Sequence, residues 1–216
     1  MKKTGIIILF LVAFSFLFVQ YLNTEKEPDY CKYVDQVTGA FKTSVKKKYQ
    51  LTATMQGGSF MDQIKTISIF FQTSNKEYSV TEARGLIVSC VEEYLERING
   101  NEKVRPFLEH YPFKEGGVEF QITFYEKPLV RVKQEYICTV GIVNEKVYYY
   151  VYDHEIEKSV IVYEEPYEEA LKKVKDAGLL TYDLDFKNKS HDSLPSSINR
   201  NNVDDVNAKL RAKYNL

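Results

Sequence analysis

From Gly5 to Leu22 the chain carries no charged side chain and runs through Ile, Leu, Phe and Val almost without a break. Lys2 and Lys3 precede this run, and Glu25 is the first charge after it. As a helix rising ~1.5 Å per residue, the run reaches roughly 27 Å, which just covers a hydrocarbon core. A segment apolar all round leaves no face for water, so it is read as a single-pass transmembrane signal-anchor. The alternative is a signal peptide that is cleaved to release a secreted domain. Such a peptide ends in small residues, whereas the exit here reads Phe18-Val19-Gln20-Tyr21-Leu22, with bulky groups at the place of cleavage. Lys2, Lys3 and the amino terminus outweigh Lys26 and Lys32 beyond the span, which keeps the N-terminus cytoplasmic and puts the domain outside the cytoplasm.

Behind the anchor and its linker (1–29), the rest of the 216 residues divides into one globular domain over 30–180 and a polar tail over 181–216. Lys and Arg number 29 against 30 Asp and Glu, so no broad positive field exists to neutralise phosphates, and nucleic acid is not an expected partner. The expected partners are the membrane, through the N-terminal helix, and another protein. Seventeen Tyr and thirteen Phe without any Trp point to aromatic-rich strands.

Apolar groups at Tyr30, Val34, Val37, Phe41 and Val45 recur every three or four residues and predict an amphipathic helix to about Lys48. Alternation at Tyr49, Leu51, Ala53 and Met55 predicts a strand broken at Gly57-Gly58, and Ile67, Ile69 and Phe71 predict its hairpin mate. Ser79-Val80-Thr81-Glu82 is a capping box opening a helix whose core stripe runs from Ala83 to Ile98, with Asn99-Gly100 expected to end it in a left-handed residue. Pro106 interrupts a short helical piece over 102–111. Val118, Phe120, Ile122 and Phe124 alternate with polar groups; Tyr136, Cys138, Val140 and Ile142 continue the pattern. A turn at Asn144-Glu145 reverses the chain into 147–152 and 160–163, and Pro166 opens a last helix closed by Gly178. In that helix Glu168–Lys172 and Glu169–Lys173 have favourable i,i+4 spacing. The predicted fold class is α+β: a membrane helix, then an antiparallel sheet of hairpin plus meander packed with amphipathic helices. The tail is read as largely disordered, with a possible short helix at 203–213.

No catalytic set, cofactor motif or metal-ligand spacing stands out. Gly57, Gly58, Ser59 and Asp62 could bring backbone N–H groups to an anion or hold a serine nucleophile, but they fit neither a G-x-S-x-G elbow nor a phosphate loop, and a plain hairpin turn explains them. Cys90 and His110 could pair as nucleophile and base, although packing explains both. Glu92, Glu93 and Glu96 cluster as acid-base carboxylates must, and also as a solvated helix face does. Tyr148, Tyr150 and Tyr152 share one face of a strand and could stack a ligand or grip a partner, with cross-strand packing as the competing reading. Cys31, Cys90 and Cys138 permit at most one disulfide, and the apolar settings of Cys90 and Cys138 favour two buried thiols. Asn188-Lys189-Ser190 matches a glycosylation acceptor, relevant only in a eukaryotic secretory pathway.

Several stretches resemble an uncharacterised chlamydial-type family of membrane-anchored or exported proteins of unknown function. They are 57–64, 81–84, 90–95, 98–108, 111–113 and 164–171, spread over about Met55 to Val174. The resemblance implies a bacterial envelope setting and brings no activity, cofactor or catalytic residue. Two functions follow as expectations: a membrane-anchored envelope or interaction protein without catalytic activity, or a hydrolase-like enzyme built around the Gly57-Gly58 region.

Overall fold

Residues 29–180, apart from Asn75, are described by the computed structural model. The expectations for the apolar run 5–22, for the tail 181–216 with its helix at 203–213, and for Asn188-Lys189-Ser190 lie outside the described residues. No helix among the described residues is long and apolar enough to cross a membrane. Helix α1 (Asp29–Tyr49) forms where the three-four spacing predicts it, and Tyr30, Val34, Val37, Phe41 and Val45 are all buried. Lys46, Lys47 and Lys48 fill its last turn, where cations meet the negative end of the helix dipole. Gln50 then takes a left-handed φ of 59° as the chain reverses into the sheet.

The fold is α+β. Seven strands, β1 (Thr52–Ser59), β2 (Thr66–Ser74), β3 (Val118–Lys127), β4 (Val130–Arg131), β5 (Thr139–Val143), β6 (Lys146–Asp153) and β7 (Lys158–Pro166), form one sheet. The order is β1-β2-β3-β5-β6-β7, with β4 paired to β3. The expectation of a purely antiparallel sheet is corrected: β2 and β3 run parallel, from Ile67 opposite Val118 to Ser74 opposite Tyr125. Helix α2 (Val80–Gly100) is the crossover that such a pair requires. Period-two alternation reports which face of a strand is buried and is silent on its direction, so the sequence pattern could not separate the two cases. The other neighbouring pairs are antiparallel, as a hairpin and a meander demand.

The capping box at Ser79 is present, with Glu82 accepting from the Ser79 backbone N–H at 3.0 Å. At the other end of α2 the expected left-handed stop is absent. Asn101 caps the helix in extended conformation, and its side-chain oxygen accepts from the N–H groups of Lys103 and Val104 to start the next turn. The piece at 102–111 shrinks to a 3-10 turn at Arg105–Phe107 holding Pro106 near its start. Tyr136 falls outside β5, although Cys138 already donates to Tyr150 O and accepts from Phe124 N at 2.8 Å each. Asn144 and Glu145 both take positive φ, the geometry of a tight two-residue hairpin turn. Helix α3 (Tyr167–Asp176) follows Pro166, and Gly178 beyond it has φ +63°.

The three helices among the described residues lie on one face of the sheet. Phe41 of α1 stacks on Phe120 at 5.6 Å and meets Phe71 edge-on at 5.9 Å, while Tyr94 of α2 reaches Phe120 at 5.3 Å. Tyr167, Ala170 and Val174 of α3 complete the buried layer. Edge-on and stacked rings at these spacings add to the area they bury. The strand directions give the domain two ends. The start of α1, the 60–65 loop and the Asn144-Glu145 turn share one, and the start of α2, the β6–β7 turn and Leu179, which packs near Gly85, share the other.

Candidate binding face

The face away from the helices is made by alternate residues of the same strands. Register places Phe70, Gln121, Gly141, Tyr148 and Glu164 in one row across β2, β3, β5, β6 and β7. The next row is Gln72, Thr123, Thr139, Tyr150 and Ile161. Tyr148, Tyr150 and Tyr152 are half-buried, whereas Val147, Tyr149 and Val151 between them are buried on the helix side. Ile161 reaches this outer face because β7 carries a bulge opposite Tyr149 and Tyr150, and it is 47% exposed. Gly141 leaves a gap in the aromatic row between Gln121 and Tyr148, and a Cβ there would sit 3.2 Å from the Phe120 carbonyl. Arg131 lies over the rings of Tyr125 at 5.4 Å and Tyr152 at 5.0 Å, flattening a charged group onto two aromatics. Burial, then the neighbouring Tyr148, pushes the Tyr150 hydroxyl above its ordinary range, so it stays a neutral donor. The surface is aromatic with polar tips, able to stack and to hydrogen-bond.

The structure does not bring the other predicted residues to this face. Gly57 and Gly58 are not in a loop; they pair with Ser68 and Ile67 inside β1, and the connection is 60–65. Gly58 is required there because a Cβ would run into the backbone carbonyl of Thr66, with the Phe60 ring, 2.6 Å away, crowding the same space. β1 is four strands from β6, roughly 19 Å at ~4.8 Å per strand. Ser59, Asp62 and His110 are exposed, and no hydrogen bond joins them to one another among the described residues. Cys90 is sealed in α2, where burial, then Glu93, raises its thiol, so it is not activated, while His110 is exposed. Cys138 is likewise buried with a raised thiol, burial being the main cause, and no disulfide links the three cysteines. No group of three or more His, Cys, Asp or Glu is placed to hold a metal among the described residues.

The glutamate cluster is corrected in part. Glu96 is exposed, but Glu92 accepts from the Tyr167 hydroxyl at 2.8 Å, and Glu93 is fully buried between Lys48 at 3.0 Å and Arg97 at 2.8 Å. Helix α2 is flanked by α1 and α3, so its buried arc is wider than its apolar stripe.

A second charged centre was not anticipated. Glu165, 3% exposed, accepts from Arg84 Nε, Tyr149 Oη and Lys173 Nζ, each at 2.6 Å. The Tyr163 hydroxyl completes the set at 3.3 Å. Burial acts to raise the Glu165 pKa, but the hydrogen bonds from Lys173, Tyr149 and Arg84 prevail and hold it below its ordinary value. Lys173 thus lies close to Glu165 while keeping a longer ion pair, at 3.8 Å, with Glu169, its expected i,i+4 mate. These contacts make the carboxylate a clasp between α2, the sheet and α3. The bulge in β7 is what turns Glu165 inward, and a two-residue period cannot be followed through a bulge.

Comparison with protein-family models, with curated proteins and with solved structures finds no match to this chain.

Proposed function

We propose that this chain is a non-catalytic interaction protein, held at a membrane by the run 5–22, whose uncovered sheet face binds another protein. One observation carries the reading: Tyr148, Tyr150 and Tyr152, with Ile161 opposite Tyr150 and Phe70 farther along the same face on β2, stay partly exposed on a face that no described helix covers. Aromatic side chains with polar tips are the residue types that protein interfaces concentrate at their centres. The anchor is supported by the apolar run itself and by the basic pair Lys2-Lys3 ahead of it. The test is affinity capture of the full-length protein from its own membrane, set beside Tyr150→Ser and a version lacking 181–216. A discrete partner held by the unaltered chain and by the tail deletion, but lost from a folded Tyr150→Ser protein, is the expected result. Undiminished capture by that variant overturns the assignment of the face, and loss on tail deletion alone moves the contact to the tail.

A further inference from the structure

One end of the domain is tethered close to the apolar run. Residues 23–28 separate Leu22 from the first residue of α1, so even a fully extended connection holds that residue within about 25 Å of the end of the run, at ~3.5 Å per residue. At the start of α1 the Tyr30 hydroxyl donates to the carbonyls of Phe60 and Met61, 2.6 Å from the latter. The Tyr30 ring also stacks on Phe107 at 4.9 Å. The loop that joins β1 to β2 is therefore clamped to the first turn of α1, and it holds Met61 85% exposed at its tip. A pinned loop that presents an unbranched apolar side chain to solvent has no role in the core.

Around this tip, basic side chains lie across aromatic rings, Arg105 over Tyr111 at 4.8 Å and Lys103 over Tyr33 at 5.2 Å. Aromatic and long basic side chains are the types that settle at the boundary between water and lipid. Asp62, Glu102 and Glu109 offset Lys65, Lys103 and Arg105, with Glu109 paired to Lys65 at 3.3 Å, so an apolar contact, not attraction to anionic headgroups, is what this end offers. A weak contact suffices when a tether keeps the two surfaces together.

We propose that this end of the domain rests on the bilayer surface, with Met61 entering the headgroup region. The inference depends on reading 5–22 as a membrane anchor. Because β1, β2, β3, β5, β6 and β7 run between the two ends, the sheet then stands upright on the membrane and its aromatic face is presented sideways, clear of lipid.

The test uses the full chain with Cys31→Ser, in which the remaining thiols are buried, carrying a polarity-sensitive fluorophore at Met61→Cys or at Ile156→Cys. Ile156 is 55% exposed in the β6–β7 turn, at the opposite end. The proteins are placed in phosphatidylcholine vesicles with acyl chains brominated close to the headgroup. The expected result is a blue-shifted, strongly quenched label at position 61 and a water-like, unquenched one at 156. Water-like emission at both positions from protein that floats with the vesicles overturns the docking and leaves the anchor standing. Equal quenching at both overturns the orientation. Unlabelled full-length protein that fails to float with vesicles removes the anchor and the docking together.

Discussion

Two neighbouring tyrosines of β6 keep opposite company. Tyr149 points under the helices, fully buried, with its hydroxyl on Glu165 and the Arg84 guanidinium 5.8 Å from its ring. Tyr150 points the other way, half exposed, between Thr139 and Ile161. Residue type is the same and the sequence distance is one. What separates architecture from an available surface here is the layer each side chain meets, so a role cannot be assigned to an aromatic run as a whole.

The comparison breaks most readily at the clasp. Glu165→Ala should cost about 3–5 kcal/mol, because Arg84 is left buried without its carboxylate. Urea unfolding reads this directly, and a loss under about 1 kcal/mol would mean that water or another group replaces the carboxylate. Tyr149→Ser belongs in the same range, about 3–5 kcal/mol, as expected for a large aromatic removed from a core. The same carboxyl sets a pH dependence. Its folded pKa is depressed, so its contribution is complete above the unfolded value of about 4.3 and is lost as pH falls through the lower folded value. The urea midpoint of the unaltered protein should therefore drop more steeply below about pH 4.3 than that of Glu165→Gln. Parallel slopes would show that other carboxylates govern acid unfolding.

A smaller effect tests the helix layer. Ser79→Ala removes the hydroxyl that accepts from Glu82 N and donates to the Glu82 carboxylate, at a cost of about 0.5–2 kcal/mol. An unchanged midpoint would show that the reciprocal bond from Glu82 holds the first turn of α2 by itself.

The least effect on stability is expected on the outer face, where it sharpens the contrast most. Tyr150→Ser should cost about 1 kcal/mol or less, the scale of a cross-strand pair, while lowering partner capture. A loss equal to that of Tyr149→Ser would make the two faces equivalent and remove the ground for calling one of them a binding surface.

Period and capping carried much of the fold in the sequence. The five buried positions of α1, the box at Ser79 and the alternation of β2, β3 and β6 follow from spacing that each element needs for itself. What spacing missed depends on neighbours distant in the chain. The parallel pairing of β2 with β3, the inward turn of Glu165 at a bulge and the burial of Glu93 under Lys48 each need two or three elements in place before they have meaning. Gly57-Gly58 misled for a related reason: a glycine pair is a turn signal locally, yet here one glycine lets an edge strand pass close to the Thr66 carbonyl and the Phe60 ring. For the outer face, parity put Tyr148, Tyr150 and Tyr152 together, whereas their neighbour Ile161 came only with the register.

The crossover between β2 and β3 also bears on how the chain reaches this state. Ser68 and Glu119, hydrogen-bonded at 2.7 Å, are 51 positions apart, so closing this pair costs more chain entropy than closing either hairpin. The β1–β2 hairpin that forms early is marginal by itself, and the inner edge of β2 stays unpaired until α2 has formed and β3 has been made. During synthesis the N-terminal half therefore waits on the C-terminal half. A product that stops short of Val118 would be left with Ile67, Ile69 and Phe71 on an open strand edge, in a form suited to pairing with other chains.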